Sequence, residues 1–135
     1  QTWLGADGAT ITMERGILKA SRGMGDDLMG SSSSMPAWSK IDNDIKTYKR
    51  ELIYTSGNNK ILKHSFKCSI EKNNRKEVIK IWDINFSVTK FKEHCSNNEY
   101  ELNNTYYVDD RKIVRRASQY HSETIGYILT ERLDR

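Results

Sequence analysis

The sequence predicts an all-β fold: an antiparallel, strongly curved sheet closing into a barrel or sandwich, with a short helical turn in a loop. Three observations carry that reading. Residues 61–71 alternate with a period of two, which marks a strand with one buried and one wet face. A second long run, 77–95, is also dominated by period-two patterning. Short turn signals then punctuate the rest of the chain, as in β-sandwiches and barrels.

Taken in order, Ala9, Ile11 and Met13 alternate with Thr10, Thr12 and Glu14, and Arg15-Gly16 turns the chain into a strand over 17–21. The stretch 23–30 reads as a loop with at most one helical turn. Ser31 to Ser34 and Pro36 read as a flexible connector. Residues 38–52 are two-faced. Trp38, Ile41, Ile45, Tyr48 and Leu52 recur at helical spacing, yet 46–55 also suits a strand ending in the turn 56–59. We take the strand for 46–55.

In 61–71, Leu62, His64, Phe66, Cys68 and Ile70 share one face. Lys63, Ser65, Lys67, Ser69 and Glu71 share the other. Lys72-Asn73-Asn74-Arg75 has turn chemistry, because Asn tolerates left-handed backbone. The chain is expected to return through 77–95. There the apolar positions change parity, from Ile79 and Ile81 to Trp82, Ile84, Phe86 and Val88, and then to Phe91 and Cys95. A period of two changes face only at an extra residue or a bend, so bulges are predicted near 81–82 and 89–91. Strands over 100–108, 112–120 and 125–133 follow, the first two separated by a turn at Asp109-Asp110.

A chain of 135 residues fits a single domain, 1–135, and buries roughly two thirds of its unfolded surface. Its core is lean, with 13 Ile, 8 Leu, 4 Val and 3 Phe, helped by 3 Trp and 7 Tyr. The formal charge of +4 is uneven. Residues 40–76 hold ten Lys/Arg against four Asp/Glu, while the flanking segments are slightly acidic. A basic segment attracts anionic polymer, headgroups or nucleic acid, or is simply a solvated face. No apolar run approaches the ~20 residues of a membrane-spanning helix. The chain opens abruptly on Gln1-Thr2-Trp3-Leu4, already strand-like and without a leader, which reads as a fragment or processed form lacking earlier strands.

Motifs for chemistry are sparse. His64, His94 and His121 have no metal-ligand spacing, and no metal or cofactor is expected. Asp26-Asp27 and Asp109-Asp110 are turn pairs, which usually cap locally. No nucleophile elbow, dinucleotide fingerprint or nucleic-acid-binding motif appears. Cys68 and Cys95 sit on neighbouring long strands in neither a redox nor a zinc spacing. A hairpin turning near 73–74 would pair Cys68 with about residue 80. A bulged or rolled sheet could bring the two cysteines together, and two buried free thiols are the other reading.

The run Thr2-Trp3-Leu4-Gly5-Ala6-Asp7-Gly8-Ala9-Thr10-Ile11-Thr12, followed by Arg15 to Leu28, resembles the YjbF/GfcB-type group 4 capsule lipoproteins. So do Glu93-His94-Cys95, Asn104 to Asp109, Ile113 to Tyr120 and Gly126-Tyr127-Ile128, which match the C-terminal part of that family. The middle, 31–67, matches loosely. Gly5 stands where the family has Ser, and Ala117 intrudes on an Arg-Ser-x-Gln spacing.

The resemblance implies an antiparallel β-rich fold, export to the periplasm, and attachment to the outer membrane by a lipid anchor outside this chain. It also implies a role in capsule or exopolysaccharide production without supplying a reaction. An oxidising periplasm favours a Cys68–Cys95 bridge. The expected function is therefore a non-catalytic accessory that binds acidic polysaccharide or other capsule-export proteins. Trp38, Tyr48, Tyr54, Lys63 and Lys67 are the contact candidates. The alternatives are a glycan-acting enzyme using Asp7, Asp26 or Asp27, and a nucleic-acid-binding domain.

Overall fold

The computed structural model describes the chain apart from residues 1, 5–7, 25–26, 56–59 and 135, and gives only the backbone path of 2–4. The described residues form an almost wholly β structure. Strands β1 (Thr2–Leu4), β2 (Thr10–Glu14) and β3 (Ile17–Arg22) make a small antiparallel sheet. Strands β4 (Asp27–Ser33), β5 (Lys46–Thr55), β6 (Ile61–Ile81), β7 (Ile84–Ser96), β8 (Glu101–Asp109), β9 (Val114–Ser122) and β10 (Gly126–Glu131) make a second one. In that larger sheet each strand pairs antiparallel with its neighbours in sequence, and the seven strands curve into a half-barrel. The short helical turn is a 3-10 turn at Trp38–Lys40, in the β4–β5 connection rather than at 23–30.

The loop expected over 23–30 and the connector after it are partly strand. Residues 27–33 pair with β5, with a register shift between Leu28 and Gly30. Gly30 and three serines carry weak strand propensity, and pairing with a strong neighbour overrides it. The Arg15-Gly16 turn is as expected. Gly16 has φ +80, and a Cβ built on it would stand 2.3 Å from Val114 Cγ2. Both the left-handed backbone and the close approach demand glycine. Gly16→Ala is expected to cost more than about 1 kcal/mol, read as a lowered urea midpoint.

The central correction concerns the β6–β7 hairpin. Lys72 to Arg75 do not turn the chain. Strand β6 continues to Ile81, and the two-residue loop Trp82-Asp83 makes the turn, with Ile81 opposite Ile84. Both loop residues have positive φ, +50 and +67, the left-handed pair that tight hairpins use. Asn73, Asn74 and Arg75 instead stand opposite Lys90 alone, a bulge between the pairs Lys72–Phe91 and Lys76–Thr89.

The extra residues thus lie on β6, opposite the predicted 89–91 site, and the parity change at 81–82 is the turn itself. Strand β7 pairs with β8 without a break, so what changes along it is which face is buried. Its odd positions Phe91, Glu93 and Cys95 are buried in the main core. Its even positions Phe86 and Val88 pack, with Ile79, Ile81 and Tyr107, into a second small cluster. Tyr107 lies opposite Lys90, an even position, whereas Phe91 lies opposite Tyr106 of the main core. The sheet therefore buries one face along most of its length and the other near the hairpin end.

The main core runs from Ile17, Leu18 and Leu28 through Trp38, Leu52, Phe66 and Ile70 to Tyr106 and Ala117. Two polar ties join the small sheet to β9. Gln119 accepts from Leu18 N–H at 2.8 Å and donates to Gly16 carbonyl at 2.9 Å, substituting for a strand partner. Ser21 Oγ and the fully buried His121 Nε2 lie 2.6 Å apart, and Leu28 N–H donates to the same Ser21 hydroxyl.

Candidate functional site

Alternation on β5, β6 and β7 sorts side chains by face, and the inward face carries a charge. Arg50 and Glu93 are each 2% exposed, and Arg50 Nη1 donates to Glu93 Oε1 at 3.0 Å. The same oxygen accepts from Asn104 Nδ2 and from the Tyr106 hydroxyl, both at 2.8 Å, while Tyr48 donates to Oε2. Burial, and then the carboxylate beside them, push both tyrosines far above the ordinary phenol range, so they stay donors. Next to this network Cys68 and Cys95, directly opposite in register, form a disulfide with Cα atoms 4.0 Å apart. Because the turn is at 82–83 and the bulge adds residues to β6, the register that a turn at 73–74 denied them is met.

The five contact candidates divide by face. Trp38 lies inside, 4% exposed, between Phe91 and Tyr106 rings, its Nε1 donating to Arg15 carbonyl. Tyr48 belongs to the Glu93 network. Tyr54 is 6% exposed and donates to His121 carbonyl, with its ring against a small cleft shared with His64, Tyr100 and Tyr120. These three aromatics are buried in the core rather than displayed on the outer face of the sheet. Lys63 and Lys67 point outward. Lys63 is paired with Glu51 at 3.2 Å, both substantially exposed.

Lys67 is in a different situation. It stands directly opposite Lys49, also exposed, and next to Ser96 on its other side. Like charges directly opposite on neighbouring strands oppose pairing. Neither lysine has an ion-pair partner among the described residues. The two line a shallow depression of about 550 Å³ with Glu51, Ser65, Ser96 and Asn97. Further along the same outer face come Lys92 and Lys90. The bulge follows, where Lys72, Arg75, Lys90 and Lys92 surround a second depression of about 390 Å³, with Glu71 as its one carboxylate. Lys49 is not singled out by the sequence, and the bulge is expected near 89–91 rather than on the facing stretch of β6. Only the pairing of β5 with β6 reveals that Lys49 faces Lys67.

A larger groove, about 640 Å³, lies between β2, the Arg15-Gly16 turn and β10. Its charges are mixed: Arg15, Lys19, Lys112 and Arg132 against Glu14 and Glu131. Of the alternative catalytic carboxylates, Asp7 and Asp26 lie outside the described residues. Asp27 accepts from Met24 N–H at 3.3 Å, a local turn cap. The three histidines are dispersed. His121 is buried with Ser21 and Ser122, His94 is bonded to Asn103 on the surface, and His64 sits among Tyr54, Phe66 and Tyr100.

A half-barrel of sequentially paired strands, tied by a disulfide and carrying an unpaired basic strip on its outer face, defines a small disulfide-stabilised β protein. Comparison with known proteins places it further. The family model described as "Group 4 capsule polysaccharide lipoprotein gfcB, YjbF" matches residues 1–133, and the chain belongs to that family. The crystal structure of the hypothetical lipoprotein YmcC from Escherichia coli (K12) has a similar fold. Its TM-score is 0.74 at 18% identity, with 96% of this chain and 73% of that one covered. No curated protein matches.

Proposed function

We propose that this chain is a non-catalytic accessory of capsule or exopolysaccharide production or export, acting in the periplasm at the outer membrane, and that it holds acidic polysaccharide on the outer face of its sheet. The observation that carries the reading is the unpaired, directly opposed Lys49–Lys67 pair. Lysines on edge strands are explained as guards against aggregation. These two are on β5 and β6, interior strands of the seven, so that explanation is not open to them. The cations continue along β6 and β7 to the bulge. At ~3.3 Å per residue, Lys67 to Arg75 spans roughly 26 Å, a length suited to an extended polymer rather than a small ion. Family membership supports the substrate class, since its description names capsule polysaccharide.

The test is binding to alginate, a polyuronate, beside neutral dextran. The chain is expected to bind alginate and not dextran, and to release it as salt rises past the screening range. The Lys49→Ser/Lys67→Ser variant should weaken alginate binding at least tenfold with unchanged circular dichroism. Equal binding of alginate by wild type and variant, or none by either, overturns the proposal.

A further inference from the structure

Among the described residues, the tip of the β6–β7 hairpin carries the most exposed large apolar side chain, Trp82. Strand β7 pairs with β8 only from Val88 onward, so residues 77–87 run beyond the end of β8. At the tip Trp82 is 82% exposed, and Val78 and Ile84 are 68% and 50% exposed. Trp82 also occupies a left-handed position, φ +50, where glycine or asparagine fits without strain and a bulky side chain does not. An indole placed there is thus unfavourable twice, in backbone strain and in exposed apolar area.

The hairpin is nonetheless firmly held behind the tip. Ile79, Ile81 and Val88 form its own small core. The Arg115 guanidinium lies 4.5 Å from the centre of the Phe86 ring, and Arg116 Nη2 donates to Lys80 carbonyl at 3.1 Å. The packed stem therefore presents an exposed tryptophan on a left-handed backbone position.

The charges around the tip choose the contact. The acids of this end are largely engaged: Asp109 by Arg115, Asp110 by Lys76, Glu131 by Arg116 and Asp134 by Arg132. Among the described residues, the hairpin and the adjoining β8–β9 turn keep Lys72, Arg75, Lys80, Lys90, Arg111 and Lys112 outside any ion pair, against Glu77 and Asp83. A tryptophan backed by surplus cations matches the interfacial zone of an anionic bilayer. There the indole sits at headgroup depth and lysines meet phosphate.

We propose that the Trp82 hairpin tip docks this protein onto an anionic lipid bilayer, independently of any acyl anchor, with the bulge cations Lys72, Arg75 and Lys90 shared between this surface and the polysaccharide strip. The test uses the chain as it stands, without acylation, against phosphatidylglycerol/phosphatidylethanolamine vesicles and neutral phosphatidylcholine vesicles. Expected are co-sedimentation with the anionic vesicles alone and a blue-shifted fluorescence component quenched by brominated lipid. Trp82→Asn should lose both, with at least a tenfold drop in partitioning. It should keep or raise the thermal midpoint, because asparagine relieves the left-handed strain. Binding unchanged in Trp82→Asn, equal binding to neutral vesicles, or no binding to either kind overturns the proposal. Alginate binding by Trp82→Asn should equal wild type, so failure here and failure of the polysaccharide reading remain separable.

Discussion

Glu93→Ala is expected to lower unfolding stability by about 3–5 kcal/mol, the usual cost of stranding one member of a buried ion pair. Arg50, 2% exposed, would keep its charge with no carboxylate beside it. Asn104, Tyr48 and Tyr106 would lose their acceptor in the same step. A domain with ordinary marginal stability has little beyond that to lose. For that reason a second variant accompanies it: Arg50→Met/Glu93→Leu removes both charges and should recover the part of the loss due to the stranded Arg50 charge, while the Asn104, Tyr48 and Tyr106 donors stay without their acceptor. Urea titrations of wild type, single and double variants decide the matter. A Glu93→Ala protein within about 1 kcal/mol of wild type would mean that the network is not a structural keystone.

Opening the Cys68–Cys95 bridge should cost nearly as much. With the cysteines 27 positions apart in sequence, the chain-entropy model gives roughly 3–4 kcal/mol at 25 °C. The bridged residues are directly opposite in the β6–β7 ladder, so the staple also holds the register that sets Glu93 beside Arg50. Cys95 is fully buried and Cys68 nearly so, hence a reductant should act slowly on the native protein and fully only once it opens. Cys68→Ala/Cys95→Ala is expected to melt well below wild type, and reductant to leave its midpoint unmoved while lowering that of wild type. Identical midpoints for wild type with and without reductant would sink this account. Intact-mass measurement with thiol alkylation on natively sourced protein reads the redox state directly. A bridge there fits an oxidising compartment, and two alkylatable thiols argue against export.

Much of the sheet was legible because burial on one face writes itself as alternation. Strand 61–71 is where period two places it, and strands 46–55 and 100–108 also stand where the sequence suggests them, at least in their central residues. The hairpin departs from the sequence expectation for a physical reason. Asn73-Asn74 has the composition of a turn, but none of residues 72–75 takes a left-handed backbone, and the extra residues are absorbed as a bulge within β6. Trp82-Asp83 has no such composition, and only the ladder reveals that the chain reverses there.

Strand 27–33 was invisible because its glycine and serines borrow their conformation from β5. The charged network had left a trace. Arg50 alternates with Tyr48, Leu52 and Tyr54, and Glu93 with Phe91 and Cys95, so charges at apolar-face positions on two strands already announced an internal pair. The basic strip left a coarser trace, the Lys/Arg excess over 40–76, since facing lysines on two strands become neighbours only when the register is known.

Seven strands laid down in chain order mean that every partner in the large sheet is the segment just before or just after. Each rung closes a short loop, and short loops cost little entropy. The small sheet is different. Leu18 meets Gln119, and Ser21 meets His121, across 101 and 100 positions of chain. The price of assembling this molecule is therefore concentrated in one seam. The meander can zip from its hairpins without that seam, and the seam waits for both flanks to exist. Topology of this kind separates a locally encoded body from a lid that depends on nearly the whole chain having been made.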